Sequence, residues 1–172
     1  MVQHARQSAP VQSTFFHGPL ALEHFAGNDS HPPLLYAHGF GQTRLAWRRA
    51  AARLANQGFR GTVFDARGHG ESRWNPPGQP YHIEQFIDDL VGLADAQPTP
   101  PVLVGASMGG LLGMFSQGHR QPPPFSALIL VDITPRWEVA GVARILNFMT
   151  AHPASFSNLE EAADAIASYL PH

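Results

Sequence analysis

The stretch "VLVGASMGGLLG", residues 102–113, decides how this sequence is read. An aliphatic run ending at Val104 passes straight into Gly105-Ala106-Ser107-Met108-Gly109, and an apolar, helix-like segment follows. A strand that turns directly into a helix leaves no room for bulk, which accounts for the small residues of this G-x-S-x-G pattern. The same turn forces the serine into a strained backbone conformation and lifts its hydroxyl clear at the carboxyl edge of a sheet. There the helix N-terminus points N–H groups at any negative charge that develops. The pattern and its strand–helix context mark Ser107 as a candidate nucleophile. The plainer reading is a glycine-rich turn with an incidental serine. A serine hydroxyl is a weak nucleophile unless a base takes its proton, so the rest of the chain has to be searched for that base.

Working outward, "SALILVD" (126–132) reads as the next strand, and "LLYAH" (34–38) and "FRGTVFD" (59–65) as earlier ones. Between them "TRLAWRRAAARLANQG" (43–58) has a helical pattern, with Thr43 placed to cap it and Gly58 to stop it. A second helix shows in Ile83, Phe86, Ile87, Leu90, Val91 and Ala94, spaced at the 3.6-residue period. "TFFHGPLALEHFAG" (14–27) reads as a hairpin turning at Gly18-Pro19. Short all-apolar strands alternating with helices predict an α/β fold, a mostly parallel sheet covered by helices on both faces. After Asp132 the pattern changes to two helices without a strand. Ser157 to Glu160 fits a capping box for the second, and Leu159, Ala163, Ile166 and Leu170 form its apolar stripe. The chain accordingly divides into a core, 1–135, and a helical segment, 136–172.

Composition narrows the function. Apolar content of 44% against 14% charged residues in a chain of 172 describes one globular domain with a sizeable core. Eleven basic residues, all arginine, against 13 acidic ones give a net charge of −2, which predicts neither a nucleic-acid partner nor a membrane surface. The absence of cysteine excludes disulfides, thiolate metal sites and a cysteine nucleophile. No pair of histidines has the spacing of a metal hydrolase, so neither a metal nor another cofactor is expected. With no secretory leader at the N-terminus and no apolar run of about 18 residues, a cytoplasmic protein is expected.

Two further motifs surround the serine. His38-Gly39-Phe40-Gly41-Gln42-Thr43 leaves a strand and enters a helix, a position from which the Phe40 N–H can join that of Met108 as a pair of oxyanion donors. His38 precedes the serine, contrary to the Ser…acid…His order of such sites, and we read it as holding its loop through side-chain hydrogen bonds. Asp65-Ala66-Arg67-Gly68-His69-Gly70-Glu71-Ser72 gathers acid, base and hydroxyl within one turn. Neighbours in a tight turn rarely face one centre, so Asp65 and Arg67 are read as pinning it with charge-assisted hydrogen bonds.

In this order and spacing, "HGFGQT", "FDARGHGES" and "GASMGG" resemble the α/β-hydrolase fold superfamily over roughly residues 14–172. "LILVDITPRW" resembles the last core strand before a lid. The resemblance implies a serine hydrolase that attacks an ester-type carbonyl and forms an acyl-serine, because relatives that work through an alkyl-enzyme ester carry aspartate at the elbow. It implies a small-molecule acyl substrate, with Trp74, Trp137, Leu146 and Met149 either lining an apolar pocket or packing the core and lid. It also implies that the sheet resumes after the lid and brings the acid and then the histidine, which predicts that this chain stops within its lid, short of its base. Three histidines follow the serine. His119 sits at the far end of the helix that Ser107 begins, roughly 15 Å or more away, while His152 and His172 fall on lid segments. Asp132 leaves a strand beside the elbow, where some members of the superfamily place their acid; a simple polar cap of the next turn is the other reading. The alternative to a working hydrolase is a non-catalytic fragment or pseudoenzyme lacking the triad histidine.

Overall fold

In a computed structural model the described residues are 14–136, 138–151 and 156–169. Contacts divide the chain after Pro135 into two units. The first holds a six-stranded sheet made of β1 (Phe15–His17), β2 (Leu20–Phe25), β3 (Leu34–Ala37), β4 (Gly61–Phe64), β5 (Val102–Ala106) and β6 (Ala127–Val131). Their spatial order is β1-β2-β4-β3-β5-β6. The hairpin strands β1 and β2 run antiparallel, to each other and to β4, whereas β4, β3, β5 and β6 are parallel neighbours. The hairpin turns at Gly18, whose φ of 57° suits a residue without a Cβ.

Helices α1 (Leu45–Ala55), α2 (Ile83–Asp95) and α3 (Met108–His119) cover the sheet on both faces. The alternation of a strand sorts its side chains between them. In β3, Leu34 and Tyr36 join Val63, Ala51 and Ala55 on the α1 face, with Trp47 packed beside them. Leu35 and Ala37 join Leu90, Leu93, Leu103 and Leu112 on the face covered by α2 and α3. Every residue of β3 and β4 is buried, so these strands read as apolar runs and not as alternating ones.

Helix starts are where the structure departs from the sequence reading. Thr43 does not cap α1; the cap position is Arg44, with no side-chain hydrogen bond from it to the helix, and its N–H is taken by the Asp65 carboxylate at 2.6 Å. In α2 the Gln85 side chain accepts from the N–H of His82 at 3.1 Å, closing the first turn.

The second unit holds α4 (Val139–Thr150) and α5 (Leu159–Tyr169). Phe148 stacks on Tyr169 with ring centroids 4.2 Å apart, and Arg144 lies 5.1 Å from the same tyrosine ring. The cap of α5 is one residue later than the sequence reading puts it. Asn158 accepts from the Glu161 N–H at 2.8 Å, and the Glu161 carboxylate accepts from Ser157 N–H at 2.7 Å. Leu159, Ala163 and Ile166 face outward; Ala162, Ala165 and Tyr169 are the half-buried residues of this helix, and Leu170 lies outside the described residues. Among the described residues no helix is long and apolar enough to cross a membrane.

Candidate active site

Strand β5 ends at Ala106 and α3 begins at Met108, leaving Ser107 alone between them. Its φ of 44° and ψ of −111° lie outside the regions that L-residues favour. The turn is possible because the residues two positions to either side, Gly105 and Gly109, carry no side chains. A Cβ on Gly105 would stand 2.5 Å from the Gly110 nitrogen, and one on Gly109 would stand 2.5 Å from the Ala37 carbonyl oxygen. The close approach of α3 to the sheet therefore depends on glycine at both positions, and it sets Ser107 half-buried at the carboxyl ends of the parallel strands.

Asp132 shares this geometry. The β5–β6 register pairs Ala106 with Val131, so Ser107 and Asp132 step off adjacent strands side by side. The Ser107 N–H donates to the Val131 carbonyl at 3.0 Å, which ties the two exits together. Asp132 has a φ of 52°, and among the described residues only it and Ser107 combine a side chain with positive φ.

The third strand exit is that of β3. A Cβ placed on Gly39 would lie 3.4 Å from the Ser107 Cβ, so this loop runs directly past the serine. His38, only 1% exposed, fixes the loop from beneath. Its Nε2 accepts the Ala66 N–H at 2.9 Å, which leaves the proton on Nδ1 to be donated to the Gly39 carbonyl at 2.8 Å. Gln42 N–H donates to the same oxygen at 3.1 Å, while the Gln42 side chain accepts the Gly39 N–H at 3.0 Å. In a trans peptide the carbonyl and the following N–H point in opposite directions. Holding the Gly39 oxygen with two donors thus turns the Phe40 N–H to the other side, away from His38. Burial lowers the His38 pKa; the Gly39 hydrogen bond opposes this and the nearby His69 adds to it. The ring is neutral, as its accepted hydrogen bond requires.

His69 supports the same loop from the neighbouring turn. Its Nε2 accepts the Gly41 N–H at 3.2 Å and its Nδ1 lies 3.0 Å from the Arg67 carbonyl. The edge of one ring meets the face of the other where His69 and Phe40 pack, with centroids 5.6 Å apart. Both nitrogens of His38 and both of His69 are therefore engaged by backbone, and neither ring is free to take a proton from Ser107. His119 ends α3 and stacks on Phe115. His152, His172 and Trp137 lie outside the described residues.

The sequence reading missed what anchors both loops. Arg44, buried at the start of α1, donates to Glu23 at 3.0 Å and binds Asp65 and Glu71 as well. Asp65, fully buried, also accepts the Glu71 N–H at 2.9 Å. Glu23 accepts from Arg48 too. Burial pushes the Glu23 carboxyl up, but hydrogen bonds and charge from Arg48 and Arg44 outweigh it and hold the carboxyl below its ordinary 4.5. One signal was available: Glu23 is a carboxylate inside the strand sequence "LALEHF", whose other residues apart from His24 are apolar. Asp65 and Arg67 both pin the turn, Asp65 by accepting the Glu71 N–H and Arg67 by binding Asp89 on α2 at 2.7 and 2.9 Å.

Beside the serine a cleft of about 730 Å³ opens in the first unit, with Phe40, Trp74, Tyr81, Phe86, Met108 and Leu111 among its walls. Trp74 is 69% exposed there. Among the described residues no group of three or more histidines and carboxylates could hold a metal ion.

Comparison with known proteins places this arrangement. The chain is 28% identical over 136 residues to protein phosphatase methylesterase 1 of Homo sapiens, covering 76% of this chain and 35% of that protein. It is 30% identical over 115 residues to epoxide hydrolase 1 of Siraitia grosvenorii, covering 66% of this chain and 36% of that one. It thus spans about a third of the length of these curated relatives. The crystal structure of an alpha/beta hydrolase from Novosphingobium aromaticivorans superposes with a TM-score of 0.76 at 25% identity, over 93% of this chain and 57% of that one. The sequence model of the alpha/beta hydrolase family matches residues 34–171, most of the chain. A mostly parallel sheet, a serine elbow between β5 and α3, and this match over both units lead to one assignment: the chain belongs to the alpha/beta hydrolase family.

Proposed function

We propose that Ser107 is the nucleophile of a serine hydrolase that cleaves an ester-type bond through an acyl-serine intermediate. The observation that carries this reading is the Ser107 backbone, strained at φ 44° between β5 and α3, with the pinned Gly39–Phe40 peptide running past it. Strain held in place by surrounding packing is a mark of functional positions. The N–H groups of Phe40 and Met108 are the oxyanion donors: the first is aimed by its peptide plane, and the second belongs to the unpaired first turn of α3. Asp132 is the acid, since its strand exit lies beside that of Ser107. The histidine that the acid orients comes from outside the described residues, because His38 and His69 are committed to backbone groups.

In this mechanism Ser107 Oγ attacks the carbonyl carbon as its proton passes to the histidine. The carbonyl oxygen takes up the negative charge and meets the two N–H groups. Collapse expels the alcohol, which takes the proton from the histidine, and leaves the acyl group on Ser107. Water, deprotonated by the same ring, then releases the acid. No cofactor enters. A hydroxyl at the elbow supports acyl transfer, as does the ester-cleaving activity that the name of the human methylesterase states.

The test supplies a base as free imidazole. The chain is incubated with p-nitrophenyl butyrate, and its mass is measured intact and after digestion. One butyryl group on the peptide containing Ser107, dependent on imidazole and lost in Ser107→Ala, is the expected result. Equal acylation of Ser107→Ala, or no acylation of a folded chain at any imidazole concentration, overturns the reading and leaves a non-catalytic binding module.

A further inference from the structure

The cleft beside Ser107 has a chemical character that its walls define. Its volume of about 730 Å³ lies in the range that buries most of a drug-sized molecule, far more than an acetyl or methyl group needs. Phe40 and Met108, the residues of the two candidate oxyanion donors, belong to its wall, and so do Trp74, Tyr81, Phe86 and Leu111. Phe40 and Trp74 are 55% and 69% exposed, large apolar surfaces that face water at a concave site. Apolar surface gathered in this way marks a ligand site.

Three polar side chains of the wall already have partners. Arg67 is its one permanent charge, and Asp89 holds that guanidinium through two oxygens, at 2.7 and 2.9 Å. The Tyr81 hydroxyl accepts the Asn75 N–H at 3.0 Å, and both nitrogens of His69 are taken. His82 stands exposed at the rim. A carboxylate carried into the cleft finds its one arginine already paired, so the hydration it loses is not replaced by an unpaired guanidinium.

We infer that the cleft binds an arm of the substrate that is uncharged, apolar and longer than acetyl. That this arm belongs to an ester rests on Ser107 being the nucleophile; the binding preference does not.

Titration calorimetry of the Ser107→Ala chain tests the inference without any turnover. The probes are 2-alkanones from butanone to decanone, and keto acids of the same lengths ending in a carboxylate. Each added methylene should tighten binding about fourfold until the cleft is filled. The carboxylate series should bind at least tenfold more weakly. Leu111→Asp should abolish alkanone binding, and Leu111→Ala, which adds no charge and serves as the folding control, should weaken it by no more than about tenfold. A flat dependence on length, or keto acids binding as tightly as alkanones, overturns the inference. Length-dependent binding together with a failed acylation of Ser107 keeps the apolar preference and overturns the catalytic reading. Acylation of Ser107 with flat binding does the reverse.

Discussion

The two sides of the sheet are built from similar sequences and end in different states. β3 (LLYA) and β4 (GTVF) are buried at every position, whereas β6 (ALILV) alternates between exposed and half-buried. Leu128 and Leu130 lie close to Gly113 and Gly110 of α3, while Ile129 on the other face is 49% exposed. The difference lies in the neighbours. β3 has a strand on each side and helices on both faces; among the described residues β6 pairs only with β5. The β2 side is further locked by ion pairs that no apolar pattern reveals. Burial is thus a property of the assembled sheet, and apolar composition only makes it possible.

The largest effect expected from this contrast is at Arg44. Arg44→Ala leaves Glu23 and Asp65 buried without their shared cation, a loss of about 3–5 kcal/mol. Arg48, 45% exposed, should matter far less, at about 1 kcal/mol or below on Arg48→Ala. Urea denaturation of both variants checks the ranking, and equal losses would show that the buried network is not what locks this side.

Acid should loosen the same side in two stages. The folded His38 pKa is below its ordinary 6.5, so the unfolded chain binds the extra proton first. Stability is then full above about pH 6.5 and declines as pH falls below it. The folded Glu23 pKa is below its ordinary 4.5, so its contribution, present above that value, is lost at still lower pH. Thermal melts from pH 8 to pH 3 should show both declines, and His38→Asn should shrink the first to the part that His24 supplies, since burial lowers that pKa as well, and leave the second unchanged. A flat profile between pH 7 and 5 in the unaltered chain would contradict the neutral, accepting ring.

The β6 side predicts a change in association and little change in stability. Ile129→Lys should shift unfolding by no more than about 0.5 kcal/mol. It should also reduce any self-association seen by sedimentation, because a charge on a strand that pairs on one side only among the described residues opposes strand pairing between molecules. Unchanged association would mean that the edge is not the contact.

The smallest effect is at Tyr36, in the middle of the locked side. Its hydroxyl is buried without a hydrogen-bond partner, and burial pushes its pKa to about 12. Tyr36→Phe removes an unsatisfied polar group, so it should leave stability unchanged or raise it by a few tenths of a kcal/mol. A loss above about 1 kcal/mol would reveal a partner for that oxygen.

These contrasts also show what the sequence made legible. The order of strands and helices could be read because period and turn chemistry are local, and the Ser107 backbone because a strand–helix turn at G-x-S-x-G leaves few alternatives. Arg44 could not be read in the same way. Its partners lie 21 and 27 residues away, and nothing local distinguishes it from Arg48 or Arg49. The cap of α5 was misplaced by one residue because Ser157 and Asn158 both have side chains that can cap, and the choice lies in how the chain enters the helix. Asp132 stood with two open readings because its proximity to Ser107 depends on the register between β5 and β6, which only the folded sheet supplies.

The pinned peptide between Gly39 and Phe40 has a kinetic consequence. Its carbonyl is held from behind by His38 and Gln42, so the facing N–H has its direction before any ligand arrives. Encounter then requires no rearrangement of the loop, and a rate set by rearrangement is what would make binding level off as ligand is added. A ligand that engages this N–H should associate with a single phase whose rate rises in proportion to its concentration.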